Sequence, residues 1–470
     1  MVNPAPQNNQ PSRLSTVTKY LRKYRRYLIW GLIATICSDV LMMLTPRLTG
    51  MIINAVEQGR EPAYIGKLAA AILVLTTLSG GFMFFMRRTI IWMSRYLEFD
   101  LRDEMFNHLL KLTPTYYHHT RTGDVMAVMT NDIEAVRMMV GPGIMYTANA
   151  LTSLIIGLSM MISLSPMLTL WSLLPLIVLP FAVHRVGTLI HKRNAKIQDH
   201  FGALTAAAQE NIAGMRVIKA YAQEAAEIES FRKTSESYIG LNMSLARVQG
   251  LFMPLMRLLA AASYLVVIYV GGMAVIKGTA DLGTVVALFG YLALLTWPVI
   301  AVGWVVSLYQ RGTASLDRVN RLLHTQPAVT DNGATAAAGP VKGRIEFRSL
   351  RFSYDHRPVL DGIDLVIEPG NTVGLLGLTG SGKTTLVNLI SRLHPVGRGM
   401  LFIDGIDIND WPLHHLRRHI GFATQEPFLF SETIAQNIRF GRPDADLDAV
   451  TDAGRIAARG KDVKDFPNGS

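Results

Sequence analysis

One run of residues in this chain can do phosphate chemistry: Gly377, Leu378, Thr379, Gly380, Ser381, Gly382, Lys383 and Thr384 fit the spacing G-x-x-x-x-G-K-[ST]. Small residues let successive backbone N–H groups turn toward phosphate oxygens, Lys383 can reach the β- and γ-phosphates, and the Thr384 hydroxyl can ligate Mg²⁺. An apolar run at 373–376 precedes the loop, and a helix-like run opening at Thr385 follows it. Strand, loop and helix signals therefore agree, and they predict a nucleoside triphosphate site at Gly377–Thr385 rather than a glycine-rich turn with a chance Gly-Lys-Thr.

The composition places that site in an unusual setting. Half of the 470 residues are hydrophobic, only 17% are charged, and the mean hydropathy is +0.26, which predicts a polytopic membrane protein. The formal charge of +11 does not point to nucleic acid, because the basic residues gather beside apolar runs. Cys37 is the only cysteine, so a disulfide within the chain is excluded and a cysteine metal site is not suggested. The basic start of the chain lacks the pattern of a removable signal peptide.

About six apolar runs have spanning length, at 27–48, 68–86, 144–162, 167–183, 258–276 and 282–306. Ser163, Leu164, Ser165 and Pro166 predict a tight hairpin between the third and fourth. Lys and Arg concentrate in the N-terminal segment and in the long segments 87–137 and 184–257, whereas the short loops carry little beyond Arg60, Lys67 and Lys277. The positive-inside rule puts both termini and both long segments in the cytoplasm. Apolar residues recur near helical spacing at Leu97, Leu101, Phe106, Leu109 and Leu110, and again at Ile212, Met215, Ile218 and Ala222, so the spans should continue into the cytosol as helices. The domain reading is a transmembrane domain at 1–323, a Pro/Gly-rich linker at 324–342, and a nucleotide domain at 343–470. Beyond the linker, short runs at 345–347, 351–354, 360–367, 372–376 and 400–403 predict strands of an α/β P-loop fold.

Taken together, the chain resembles an ABC exporter half-transporter, with six spans followed by an ATP-binding cassette. Arg121, Thr122, Gly123 and Asp124 with Thr130, Asn131 and Asp132 resemble that family's first cytoplasmic loop, whose coupling helix would lie near 116–122 and include Tyr116 and Tyr117. Glu210, Asn211, Ile212 and Gly214 with Arg216, Val217, Ile218, Lys219, Ala220 and Tyr221 resemble the second. Phe352, Ser353 and Tyr354 resemble the strand that carries the adenine-stacking aromatic, the alternative being an ordinary exposed tyrosine. Gln425, Glu426 and Pro427 resemble the Q-loop, which implies a contact of Gln425 with Mg²⁺ or the attacking water; the alternative is a surface loop. Leu401, Phe402, Ile403 and Asp404 imitate an apolar strand ending in a magnesium-binding aspartate, but no Glu follows Asp404, and the resemblance places this strand before the Q-loop.

The resemblance implies ATP and Mg²⁺ as cofactors, Lys383 and Gln425 as catalytic residues, and a second half-transporter as partner, alike or different. It also implies a drug-like or lipid substrate and a bacterial-type plasma membrane. A charge facing lipid is expensive, so Asp39 and Arg257 are the candidates to line a substrate cavity, with pairing inside the helix bundle as the alternative for Asp39. No segment like the family's signature sequence, acidic strand or switch histidine is found before Ser470, so the 470-residue chain is expected to bind ATP weakly and not to turn it over. A membrane regulator that only senses nucleotide is the rival reading.

Overall fold

The computed structural model describes residues 14–331 and 339–457. Contacts divide the chain into two units, one made of the chain up to Leu112 with Tyr116–Gln326 and the other of Thr113–Thr115 with Pro327 onward.

The first unit is built from helices. A short α1 (Ser15–Lys23) leads into α2 (Arg25–Glu57) and α3 (Pro62–Leu109). After α4 (Pro114–His119), α5 (Thr122–Leu164) passes through π-helical turns at Val128–Asp132 and Met139–Gly143. Then come α6 (Pro166–Ala213), α7 (Met215–Ala220), α8 (Glu224–Ile276) and α9 (Leu282–Leu323). Five of these, α2, α3, α5, α8 and α9, are long and apolar enough to cross a membrane. The expected span 167–183 lies inside α6, where the side chains of residues 176, 179 and 180 are outside the description. With 48 residues, α3 measures about 72 Å at ~1.5 Å per residue, more than twice a hydrocarbon core of ~30 Å. Much of it must therefore stand outside the bilayer.

Local chemistry explains the ends and irregularities. Ser165 is extended (φ −161°), its hydroxyl accepts from Leu168 N, and Pro166 opens α6, which makes the expected hairpin. Pro142 has no N–H to give the ladder, and the π-helical turn of α5 falls around it. In α2, Pro46 frees the Met42 carbonyl, and the Thr45 hydroxyl donates to it at 2.8 Å. Where α2 meets α9, a Cβ on Gly50 would stand 2.3 Å from the Gly283 carbonyl oxygen, and one on Gly283 2.1 Å from that of Gly50. Two glycines thus let the backbones touch, and Gly283 N donates to Asn54 Oδ1 at 2.7 Å.

Outside the expected spans, Leu97, Leu101, Met105 and Leu109 of α3 are buried with Ile133 and Val136 of α5 and Leu316 and Val319 of α9, and Val17 and Tyr20 of α1 join the same core. Phe106 and Leu110, which share the helical periodicity in sequence, are instead exposed. The difference is angular: positions 97, 101, 105 and 109 recur every fourth residue on one stripe, and 106 and 110 fall off it. Ile212 and Met215 are likewise exposed, since Gly214 ends α6 between them.

In the second unit, β1 (Ile345–Tyr354), β2 (Arg357–Ile367), β3 (Leu401–Ile403) and β4 (Ile406–Asp407) form an antiparallel sheet in the order β2-β1-β3-β4. The two strands expected at 345–347 and 351–354 are one strand interrupted by register shifts, with Ser349 at φ +43°. A two-residue turn at Asp355 and His356, both at positive φ, closes the β1–β2 hairpin, and Asp404 with Gly405 does the same for β3–β4. The strand expected at 372–376 belongs to no ladder among the described residues, and Leu376 is 97% exposed. An apolar run becomes a strand only when a neighbour accepts its backbone hydrogen bonds, and no described segment pairs with this one. Leu350, Leu389, Leu401, Ile408 and Leu416 are fully buried in the core of this unit, each contributing about 2 kcal/mol of apolar burial. Short helices α10 (Lys383–Ile390), α11 (Leu413–Arg418), α12 (Ile434–Arg439) and α13 (Leu447–Ile456) complete it.

Candidate functional site

The phosphate loop is formed by residues that only this sequence spacing provides. Gly380 (φ +84°) and Gly382 (φ +88°) take left-handed conformations that side chains resist. A Cβ on Gly382 would also lie 2.8 Å from Leu360 Cδ2 of β2, so the loop rests against the sheet at that point. Gly382 caps α10 without any side-chain acceptor, leaving the first N–H groups of that helix available. Lys383 Nζ donates to the carbonyls of Gly377 and Leu378, both at 2.8 Å, and to Ser381 Oγ at 3.3 Å, so the loop curls around its own ammonium. Thr384 is exposed at the start of α10, whereas Thr385 is buried beneath it. These residues fit a triphosphate: glycines where a Cβ would intrude, open helix N–H groups, and a lysine held by weak neutral acceptors that phosphate oxygens would outcompete.

Tyr354, at the end of β1, is half-buried. Its ring meets Phe352 and His394 edge-on, with centroids at 4.8 and 5.2 Å, and its hydroxyl lies 3.2 Å from His394 Nε2 and 3.5 Å from Thr385 Oγ1. The structure thus links Tyr354 to the phosphate-loop helix through Thr385, and it adds His394, which sequence reasoning missed because nothing in its local pattern distinguishes it. Gln425 is exposed in the irregular segment that follows α11, and no hydrogen bond joins it to Thr384 among the described residues. The Asp404 carboxylate accepts from the backbone N–H groups of Lys342, Gly343 and Arg344 at 2.7, 3.0 and 2.9 Å. Burial pushes its pKa up, but these three donors outweigh that and hold the carboxyl below the usual range.

The two loops that resemble coupling segments each contain a six-residue helix where one long helix turns into the next, α4 and α7. Tyr116 and Tyr117 lie on α4, with rings edge-on at 5.3 Å and Tyr117 OH donating to Leu109 O at 2.8 Å. Gly123 and Asp124 open α5, Gly214 separates α6 from α7, and Arg216 lies on α7. Asp132, noticed in sequence only as part of a motif, is buried and paired with Arg318 of α9. Of the two cavity candidates, Asp39 is buried with Oδ1 accepting from Asn149 Nδ2 at 2.8 Å and Oδ2 bonded to the Thr152 hydroxyl, whereas Arg257 is exposed on α8. Asp39 is thus hydrogen-bonded within the helix bundle, and no hydrogen bond or ion pair joins it to Arg257 among the described residues.

Comparison with known proteins agrees with this anatomy. Residues 28–299 match the ABC transporter transmembrane region, and residues 360–466 match the ABC transporter domain. The chain is 34% identical over 455 residues to the "Probable multidrug resistance ABC transporter ATP-binding/permease protein YheI" of Bacillus subtilis, covering 94% of this chain and 76% of that protein. It is 30% identical over 459 residues to the "Multidrug resistance-like ATP-binding protein MdlA" of Escherichia coli, covering 96% and 76%. It is 29% identical over 447 residues to the "ATP-dependent lipid A-core flippase" of Syntrophus aciditrophicus, covering 93% and 73%. These matches speak for ATPase and translocase chemistry; they lend no support to the expectation that the chain fails to turn ATP over, and they do not favour the regulator reading. A helical membrane region and a phosphate-loop domain, each matched over its own residues, make this chain a member of the ABC transporter family, of the exporter half-transporter type.

Proposed function

We propose that the chain is one half of a dimeric pump that uses ATP to export a drug-like or lipid molecule across a bacterial-type cell membrane, with both termini and the cassette in the cytoplasm. The observation that carries this reading is the phosphate loop at the N-terminus of α10 in the same chain as helices that are long and apolar enough to cross a bilayer, five of them among the described residues. The names of the relatives, multidrug proteins and a lipid A-core flippase, support the substrate class.

The chain's own residues divide the work. Backbone N–H groups of the loop from Gly377 to Thr384 hold the β- and γ-phosphates, Lys383 moves from its carbonyl partners onto phosphate oxygens, and Tyr354 stacks on the base with Thr385 fixing its position. Thr384 would hold Mg²⁺, which would neutralise charge on the phosphate oxygens, and Gln425 would reach that ion or the attacking water. ATP, when bound, supplies the free energy of a phosphoanhydride bond. The short helices α4, with Tyr116 and Tyr117, and α7, with Arg216, pass motion of the cassette to the long helices through Gly123 and Asp124 at the start of α5 and Gly214 between α6 and α7. Around the turn between α6 and α8, Ile212, Tyr221 and Ile228 are exposed, which supports a docking role for this turn.

The test is transport by the full chain in inverted membrane vesicles, with a fluorescent drug and a labelled lipid as probes. ATP-dependent uptake that Lys383→Ala abolishes is the expected result. Nucleotide binding without ATP-dependent movement of either probe would overturn the exporter reading in favour of a sensor.

A further inference from the structure

Asp39 has no charged residue near it in sequence on its own helix or within the apolar stretches of the helices packed against it. On its own α2 the nearest charges are Arg26 and Arg47, the latter eight residues away and so about 12 Å along the axis. The neighbouring α3 has no charge between Lys67 and Arg87, α5 none between Arg137 and Leu164, and α9 none between Asp281 and Arg311. The other titratable groups on these faces are Cys37 of α2, the phenol of Tyr146 on α5, and those of Tyr291 and Tyr309 on α9, and none is a hydrogen-bond partner of Asp39 among the described residues.

Its partners are neutral. Asn149 donates to Oδ1 at 2.8 Å, Thr152 meets Oδ2, and the buried Ser153 adjoins. The threonine hydroxyl is the informative member, because it also lies 2.9 Å from Ala148 O, the acceptor one helical turn back. A hydroxyl carries one proton. If that proton serves Ala148 O, as hydroxyls within apolar helices do, the Thr152–Asp39 bond needs its proton from the carboxyl. An ionised carboxylate buried here with no counter-cation would carry a desolvation cost that neutral donors do not offset.

We propose that Asp39, Asn149 and Thr152 form a proton-binding site that ties α2 to α5, with the proton on Asp39 Oδ2 in the arrangement seen here. Loss of the proton breaks the O–H bond, passes H⁺ to water, and leaves a carboxylate that this packing cannot hold. Separation of α2 from α5 then hydrates it. Under the exporter reading, on which this part rests, proton release and uptake accompany the rearrangement of the helices, so that transport depends on pH through a group far from the cassette.

The proton itself is read by infrared difference spectroscopy on the full chain in lipid bilayers. A carboxylic-acid C=O band present in the wild type at mildly acidic pH and lost at mildly alkaline pH, absent from Asp39→Asn and shifted in frequency by Thr152→Val, is the expected result. Carboxylate bands in its place at mildly acidic pH would overturn the proposal, and Thr152→Val keeps it falsifiable should Asp39→Asn fail to fold. In vesicles, drug export by the wild type should change several-fold between mildly acidic and mildly alkaline pH, and Asp39→Asn should flatten that profile; an unchanged profile overturns the coupling. Presence of the band without any ATP-driven transport would count against the exporter reading and leave the proton site standing.

Discussion

Asp132 and Arg318, 186 residues apart, meet in a two-point ion pair: Arg318 Nε donates to Asp132 Oδ2 at 2.7 Å and its terminal nitrogen donates to Oδ1 at 2.5 Å. Ser315 Oγ adds a third bond to Oδ1 at 2.9 Å. The pair joins the first π-helical turn of α5 to the C-terminal part of α9, close to where α9 leaves the membrane unit.

Breaking this pair should loosen that junction. Arg318 is 46% exposed while Asp132 is 8% exposed, so the arginine's own charge is screened and the main penalty is the carboxylate left behind. Arg318→Ala should therefore cost about 1–2 kcal/mol, less than the full penalty of a buried pair. Thermal unfolding of the detergent-solubilised protein checks this, and a double-mutant cycle with Asp132→Asn should show coupling of the same order.

The contact of α2 with α9 depends on two missing side chains. Gly283→Ala places a methyl group against the Gly50 carbonyl and should destabilise the membrane unit by about 3 kcal/mol, the upper end of overpacking, since backbone cannot yield as a side chain does. Gly80→Ala on α3 meets nothing within 4 Å and serves as the control. The yield of monodisperse protein and its unfolding temperature should fall for the first and not for the second.

Gly382→Ala tests the loop geometry separately from the lysine. The left-handed backbone alone penalises alanine by about 1–2 kcal/mol, and the clash with Leu360 adds to it, so nucleotide affinity should drop roughly 10-fold or more. Fluorescent ATP-analogue binding measures it.

Tyr354→Ala should weaken nucleotide binding by roughly 5- to 10-fold if the ring stacks on the base, and Tyr354→Phe much less. An equal loss in both variants would instead assign the effect to the hydroxyl's contacts with His394 and Thr385.

The cassette should lose stability in acid. Hydrogen bonds from Arg348 and Arg344 hold the Glu346 carboxyl down at about 2, and Asp404 is lowered, against burial, by its three backbone donors. Both are lower when folded than unfolded, so their contribution is complete only above the unfolded carboxyl range, at about pH 5 and higher, and is lost as pH falls through the folded values. Pepsin cleavage within residues 342–407 should rise steeply below about pH 4, and Asp404→Asn should already show raised cleavage at higher pH, where the wild type is still resistant.

Much of this protein is legible in its sequence because the signals are local. The loop Gly377–Thr384 needs glycines at fixed positions whatever surrounds it, and apolar runs of bilayer length mark helices because hydrocarbon leaves the backbone no other partner. The resemblance to ABC exporters rests on the same local motifs, and family membership follows from them. Tertiary structure decided whatever depends on distant partners. It buried Leu97 and Leu101 but exposed Phe106 and Leu110, because a stripe is apolar in sequence long before a neighbour selects which part of it to cover. It left the apolar run 372–376 outside every described ladder, since a strand exists only by pairing. It also gave Asp39 to Asn149 and Thr152 and Asp132 to Arg318, partners 110 to 186 residues away that no spacing rule connects. A charge announces its cost in the sequence, and only the packing of helices determines what offsets it.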